Sequence, residues 1–118
     1  GKHIAQIGLL PFANTKKAHD KAKAAGIHVQ CCDHWDAGGT HPVEEALCML
    51  AERCDVIHVD FDIDVIERAC MPGAPGARPG GISPNYFFAA TRLICAHPKV
   101  RSIDLTEFVT ELQERQRR

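Results

Sequence analysis

The sequence predicts an α/β domain, a three-layer sandwich built around a mostly parallel sheet. Three observations carry this reading. Short apolar runs recur along the chain, each stopped by Pro, Gly or a polar loop. Between consecutive runs lies one segment with helical periodicity. Strands joined by single helices imply right-handed crossovers, hence parallel strands covered on both faces. Four such strands make only half of a normal doubly wound sheet, and neither an internal repeat nor a domain boundary interrupts the pattern.

The elements follow in order. Ile4 to Leu10 is an apolar run closed by Pro11, as expected of a buried strand. Asn14 or Thr15 is placed to cap a helix in which Ala18, Ala22 and Ala25 recur on one face, and Gly26 stops it. Ile27 to Cys31 reads as the second strand, followed by a polar loop from Cys32 to Gly39. Thr40, His41 and Pro42 open a second helix with Glu44 and Glu45 in its first turn. Its stripe is Val43, Ala46, Leu47, Leu50 and Ala51. The third strand runs from Asp55 to about Asp64 and leads into a Pro- and Gly-crowded loop, Cys70 to Gly81. Ser83-Pro84 starts a third helix with Phe87, Ala90, Leu93 and Ile94 inward, His97-Pro98 ends it, and Val100 to Leu105 is the fourth strand. The polar stretch Gln113 to Arg118 is expected to fray.

Composition excludes several function classes. With a formal net charge of -1, the chain has no field that would draw nucleic acid or anionic lipid. The basic run Lys16, Lys17, Lys21, Lys23 reads as a solvated helix face. No apolar stretch approaches a membrane span, and Gly1 to Ile4 leads into a strand without a signal peptide. The 6 cysteines include no C-x-x-C pair, and Cys31, Cys48, Cys54 and Cys95 fall in or beside apolar segments. Reduced, buried thiols in a cytoplasmic protein are the expectation.

Chemistry concentrates in the third strand. From Asp55 to Asp64 the residues alternate: Ile57, Val59, Phe61 and Ile63 to one side, His58, Asp60, Asp62 and Asp64 to the other. Same-face neighbours on a strand stand roughly 7 Å apart. Three carboxylates so arranged repel one another, and burying them is costly unless cations neutralise them. Two divalent metals about 3.5–4 Å apart, one carboxylate bridging and the next chelating, would do so. An exposed edge strand with solvated acids is the other reading.

The sequence from Phe61-Asp62-Ile63-Asp64-Val65-Ile66-Glu67, through Pro72-Gly73, to Pro79-Gly80-Gly81-Ile82-Ser83 resembles the signature of the ureohydrolase (arginase, agmatinase, formimidoylglutamase) family. Downstream, Ser102 to Glu107 is similar to the family's final strand; upstream, Gln6-Ile7-Gly8 and Gly26-Ile27 also fit. The resemblance covers nearly the whole chain and implies an arginase-like fold of which residues 1–118 are the C-terminal part of one domain. It further implies that Asp62 bridges two manganese ions, that Asp64 ligates one of them, and that Glu107 holds the cationic amidine or guanidine of a small-molecule substrate. A metal-bridging hydroxide would then hydrolyse a linear C–N bond. A full-length member is expected to be a cytoplasmic homo-oligomer.

Departures from the pattern are informative. Asp60 stands where a small residue is usual, either as an acid supporting the metal water or as a neutral buried carboxyl. Glu67-Arg68 replaces Asp-Pro, and Val109-Thr110 replaces the Asn-Pro that follows the glutamate. The family's Asp-x-His-x-Asp motif is absent; Asp33-His34-Trp35-Asp36 lies after the wrong strand and reads as a polar loop with local turns. The chain is therefore expected to be part of a longer enzyme, or a degenerate relative serving as a non-catalytic assembly module. His58 reads as a core histidine beneath the site rather than a ligand. The Asp-x-Asp strand also resembles that of metal-dependent deacetylases, but no His-His-Gly-Asp run follows it. The Gly73–Gly81 loop lacks the spacing of a phosphate cradle. Within the family, uncharged Pro11-Phe12-Ala13-Asn14 favours a formimidoylglutamase-like member, with agmatinase, arginase or a guanidino-acid hydrolase as the alternative.

Overall fold

A computed structural model describes residues 1–32 and 39–109; Asp33-His34-Trp35-Asp36 and the tail Gln113 to Arg118 lie outside them. The elements are β1 (Ala5–Leu9), α1 (Lys16–Ala24), β2 (His28–Cys31), α2 (His41–Arg53), β3 (Ile57–Asp62), α3 (Pro84–Ala96) and β4 (Val100–Thr106). The order matches the predicted alternation, with ends shifted by one or two residues, except that the third strand stops at Asp62. A 3-10 turn, Ile63–Val65, takes over there.

Helix starts follow local chemistry. Thr15 Oγ1 accepts the Ala18 N–H at 3.2 Å and Ser83 Oγ accepts the Tyr86 N–H at 3.2 Å, each satisfying one orphan donor of a first turn. Pro42 and Pro84 sit in first turns, where a missing N–H costs nothing. Lys99 ties two connections together: its Nζ donates to the carbonyls of Ala51 at 2.6 Å and Cys54 at 2.9 Å, closing the C-terminus of α2.

Packing sorts the helices. Val43, Ala46 and Leu47 of α2, Ala90 of α3, and Ile57 and Phe61 of β3 are buried, with Ile82 and Cys32 beside them. Phe61 meets Phe87 edge to face, ring centroids 5.8 Å apart; such a pair adds about 0.5–1.5 kcal/mol beyond its area. The small-residue face of α1 is different: none of its residues is buried. Alternation at three positions was too short a signal to show whether anything would cover it.

Both strand pairings are parallel, but they form two sheets, β1-β2 and β3-β4. Between β1 and β3 lies a cavity of about 440 Å³. Consecutive residues of β3 from Ile57 to Asp62 line it, so it runs along the strand's unpaired edge. Among the described residues β3 is therefore paired along one edge only, with β4. Ile57 and Phe61 are buried, while His58, Asp60 and Asp62 are exposed. The expectation of buried thiols holds for Cys32 alone among the six cysteines; Cys48, Cys70 and Cys95 are exposed. Among the described residues no helix is long and apolar enough to cross a membrane.

Candidate functional site

The acidic row begins as predicted and then departs. Strand alternation puts His58, Asp60 and Asp62 on one face of β3. Asp64 reaches Asp62 by another route. It lies inside the 3-10 turn, whose start is capped by Asp62 itself: Asp62 Oδ1 accepts the Asp64 N–H at 3.3 Å. An Asx turn, not strand register, brings the two carboxylates together.

The Asp62 carboxyl is held above its ordinary range, first by partial burial, then by the neighbouring Asp64 and the negative charges of Asp64 and Asp60, against one backbone hydrogen bond that lowers it. Among the described residues no cationic side chain contributes to that balance. A cation bound beside Asp62 would offset the repulsion that raises it. In type the donors suit a hard divalent cation, which prefers carboxylate oxygens. In number they fall short: among the described residues no group of three or more His, Cys, Asp and Glu stands close enough to hold an ion.

Register brings in the third predicted residue. Asp62 pairs with Thr106, so Glu107 follows at the same carboxyl end of the sheet, where open α/β sheets gather their ligands. Glu107 has φ 60, a left-handed conformation that a non-glycine residue rarely holds. The backbone of the third predicted residue thus lies one position beyond the level of Asp62, in a conformation that carries local strain.

One sequence expectation needs correction and one open question is narrowed. His58 is not a core histidine: its side chain is 52% exposed, with Nδ1 2.8 Å from Ser102 Oγ and Nε2 3.4 Å from Asp104 Oδ2. Of the two alternatives left open for Asp60, the buried neutral carboxyl does not hold: Asp60 is exposed and accepts the Thr106 hydroxyl at 2.8 Å. The core reading of His58 and the buried alternative for Asp60 both assume that β3 is covered on its polar face. The β4 partners Ser102, Asp104 and Thr106 were not foreseen, although their alternation with Arg101, Ile103 and Leu105 was visible in the sequence.

The Pro- and Gly-rich loop closes the site from the side. Its base is a parallel bridge between Ile66 and Ile82, where Glu67 N–H donates to Ile82 O at 2.9 Å and Ile82 N–H to Val65 O at 2.9 Å. Gly81 permits this approach: a Cβ there would lie 2.6–2.7 Å from the backbone of Val65, Ile66 and Glu67. The Gly-Gly of the signature thus has a steric reason at its second position.

A family model described as Arginase family matches residues 1–118. The chain belongs to the arginase family. Two arginase-family relatives are formimidoylglutamases, from Bacillus subtilis (28% identical) and from Halalkalibacterium halodurans (30% identical). Each alignment runs over 108 residues, 91% of this chain and 34% of the relative. The crystal structure of the B. subtilis formimidoylglutamase superposes with TM-score 0.85 at 27% identity, covering 91% of this chain and 34% of that one. The arginase from Bacillus caldovelox superposes with TM-score 0.83 at 21% identity, covering 95% and 37%, which establishes the arginase-like α/β fold alone. The chain spans about a third of the length of the curated relatives it matches.

Proposed function

We propose that this chain supplies one side of a metal-dependent amidine hydrolase site, formimidoylglutamase-like in substrate. The observation that carries the reading is the carboxyl end of β3 and β4, where the Asx turn joins Asp62 to Asp64 and strand register sets Glu107 one residue beyond their level. Kinship with formimidoylglutamases supports the substrate class.

Asp62 and Asp64 would hold divalent cations, which carboxylates suit as a class; manganese is what the resemblance to the ureohydrolase family implies, with Asp62 serving both ions and Asp64 one. When bound, such cations activate water and stabilise charge developing at the amidine carbon. The remaining ligands would come from the rest of a longer polypeptide. Glu107 would grip the amidinium through a charge-assisted hydrogen bond, fixing the reacting carbon over the metal end of the sheet. The uncharged Pro11 to Asn14 turn, which follows β1, offers no carboxylate for an α-amino group, in keeping with formimidoylglutamate rather than arginine.

The test is steady-state kinetics of the full-length protein loaded with Mn²⁺. Formimidoylglutamate should be hydrolysed in preference to arginine and agmatine. Robust arginine turnover without formimidoylglutamate turnover would overturn the substrate assignment. Absence of hydrolysis of all three by a metal-loaded protein would favour the non-catalytic alternative.

A further inference from the structure

We propose that Arg68 is a positioning residue for Asp64, acting through the loop that links β3 to α3. This rests on the reading of Asp62 and Asp64 as cation ligands. The loop from Cys70 to Gly81 contains three prolines, Pro72, Pro75 and Pro79, each of which removes a backbone donor. Its carbonyls therefore need a donor from elsewhere. Arg68 Nη1 provides it, standing 3.4 Å from Ala74 O, 3.4 Å from Pro75 O and 3.2 Å from Ala77 O. Three carbonyl dipoles converging on one point repel unless a cation sits there. Nη1 carries two protons, so two carbonyls are hydrogen-bonded at a time and the third is held by the charge. Glu67 fixes the far end, its Oε2 accepting the Gly80 N–H at 2.7 Å.

The stapled loop presses on the site at one place. Gly76 lies against the Asp64 carboxylate so closely that a Cβ on Gly76 would overlap Asp64 Oδ2. On either side, Ala74 and Ala77 are 0% and 4% exposed, so the segment has no room to retreat. The Asx turn sets the backbone of Asp64 and leaves the terminal torsion of its carboxylate to be fixed by side-chain and loop contacts. Gly76 restricts that torsion, and Arg68 keeps Gly76 in place. The Glu67-Arg68 pair, which departs from the family's Asp-Pro, thereby does by electrostatics what a proline does by ring closure.

Mn²⁺ binding by the full-length protein tests this, read as bound metal per chain and by the electron paramagnetic resonance of the ion. Wild type should bind two ions as a coupled pair. Arg68→Ala should weaken one of them on the order of 10- to 100-fold, as losing an outer support of a ligand does, and show the spectrum of an isolated ion. Arg68→Lys, which restores the charge without the fork, should recover part of the loss. Gly76→Ala should produce the same defect with Arg68 intact, which keeps the test open if Arg68→Ala folds poorly. In an Asp64→Asn background neither change should weaken the remaining ion further. Arg101→Ala, an exposed cation on β4, should bind as wild type. Arg68→Ala and Gly76→Ala each binding two ions with wild-type affinity would overturn this inference alone. So would equal losses with and without Asp64. A wild-type protein that binds no Mn²⁺ would overturn it together with the proposed function.

Discussion

At the scale of single residues, the site combines groups that are unfavourable on their own. Asp62 retains its proton to a higher pH in the folded chain than the ordinary 3.8 of a free aspartate. A raised carboxyl contributes stability that is fully present below the unfolded pKa and is lost as pH rises through the folded one. The metal-free protein should therefore lose stability across that window, and Asp62→Asn should flatten the loss while keeping an acceptor for the Asp64 N–H. Urea midpoints of both proteins against pH would check this; an identical slope would refute it. With metal present the order reverses. Asp62→Asn should cost more activity than Asp64→Asn, because a bridging ligand serves both ions, and each should exceed the roughly 100-fold typical of an outer support. Glu107 poses a similar trade. Glu107→Gln should lower kcat/KM by about 10- to 150-fold, the worth of a hydrogen bond to a charged group, with metal content unchanged. Glu107→Gly should stabilise the fold on the order of 1 kcal/mol by relieving φ 60, while losing the same activity. A Glu107→Gly variant no more stable than wild type in chemical unfolding would show that its backbone is not strained.

Among the elements, caps and burial predict different consequences for the first and third helices. Ser83 caps α3, which packs Ala90 and Phe87 into the core and leads directly from the loop over Asp64. Ser83→Ala should cost about 1 kcal/mol of global stability. Thr15 caps α1 with the same geometry, but α1 buries nothing. Thr15→Ala should therefore speed amide exchange within α1 and leave the global unfolding midpoint nearly unchanged, because local opening there is already cheap. Equal shifts of the midpoint in the two variants would contradict this division. The caps themselves were legible: Ser83 and Thr15 precede helical stripes and need only the next turn to act. The end of β3 was not, since alternation continues through Ile63 and Asp64 although the chain has already turned.

For the molecule as a whole, the decisive fact is that its sheets have open edges. β1 and β3 face each other across a cavity without pairing, and Ile103 and Leu105 of β4 remain 54% and 53% exposed. Unpaired edges and half-covered apolar strands favour association or loose packing. The 118-residue chain alone should accordingly unfold with low cooperativity, bind Mn²⁺ weakly and show no measurable hydrolysis. Titration calorimetry and thermal unfolding beside the full-length protein would check all three. Tight binding of two ions by the 118-residue chain would show that its described carboxylates suffice.

The parallel α/β alternation, the helix starts, the acidic row and its place at the carboxyl end of a strand were all written in the sequence, because each depends on neighbours within a few positions. Family membership followed from the order of those local patterns along the chain. What covers the polar face of β3 was not written there, so His58 was misread as a core residue and the two readings of Asp60 stayed open. Nor could spacing reveal that Asp64 meets Asp62 through a capped turn, or that Gly76 lies against its carboxylate on a loop that Arg68 staples. Such contacts depend on how the chain returns to itself in space, and local periodicity carries no information about that path.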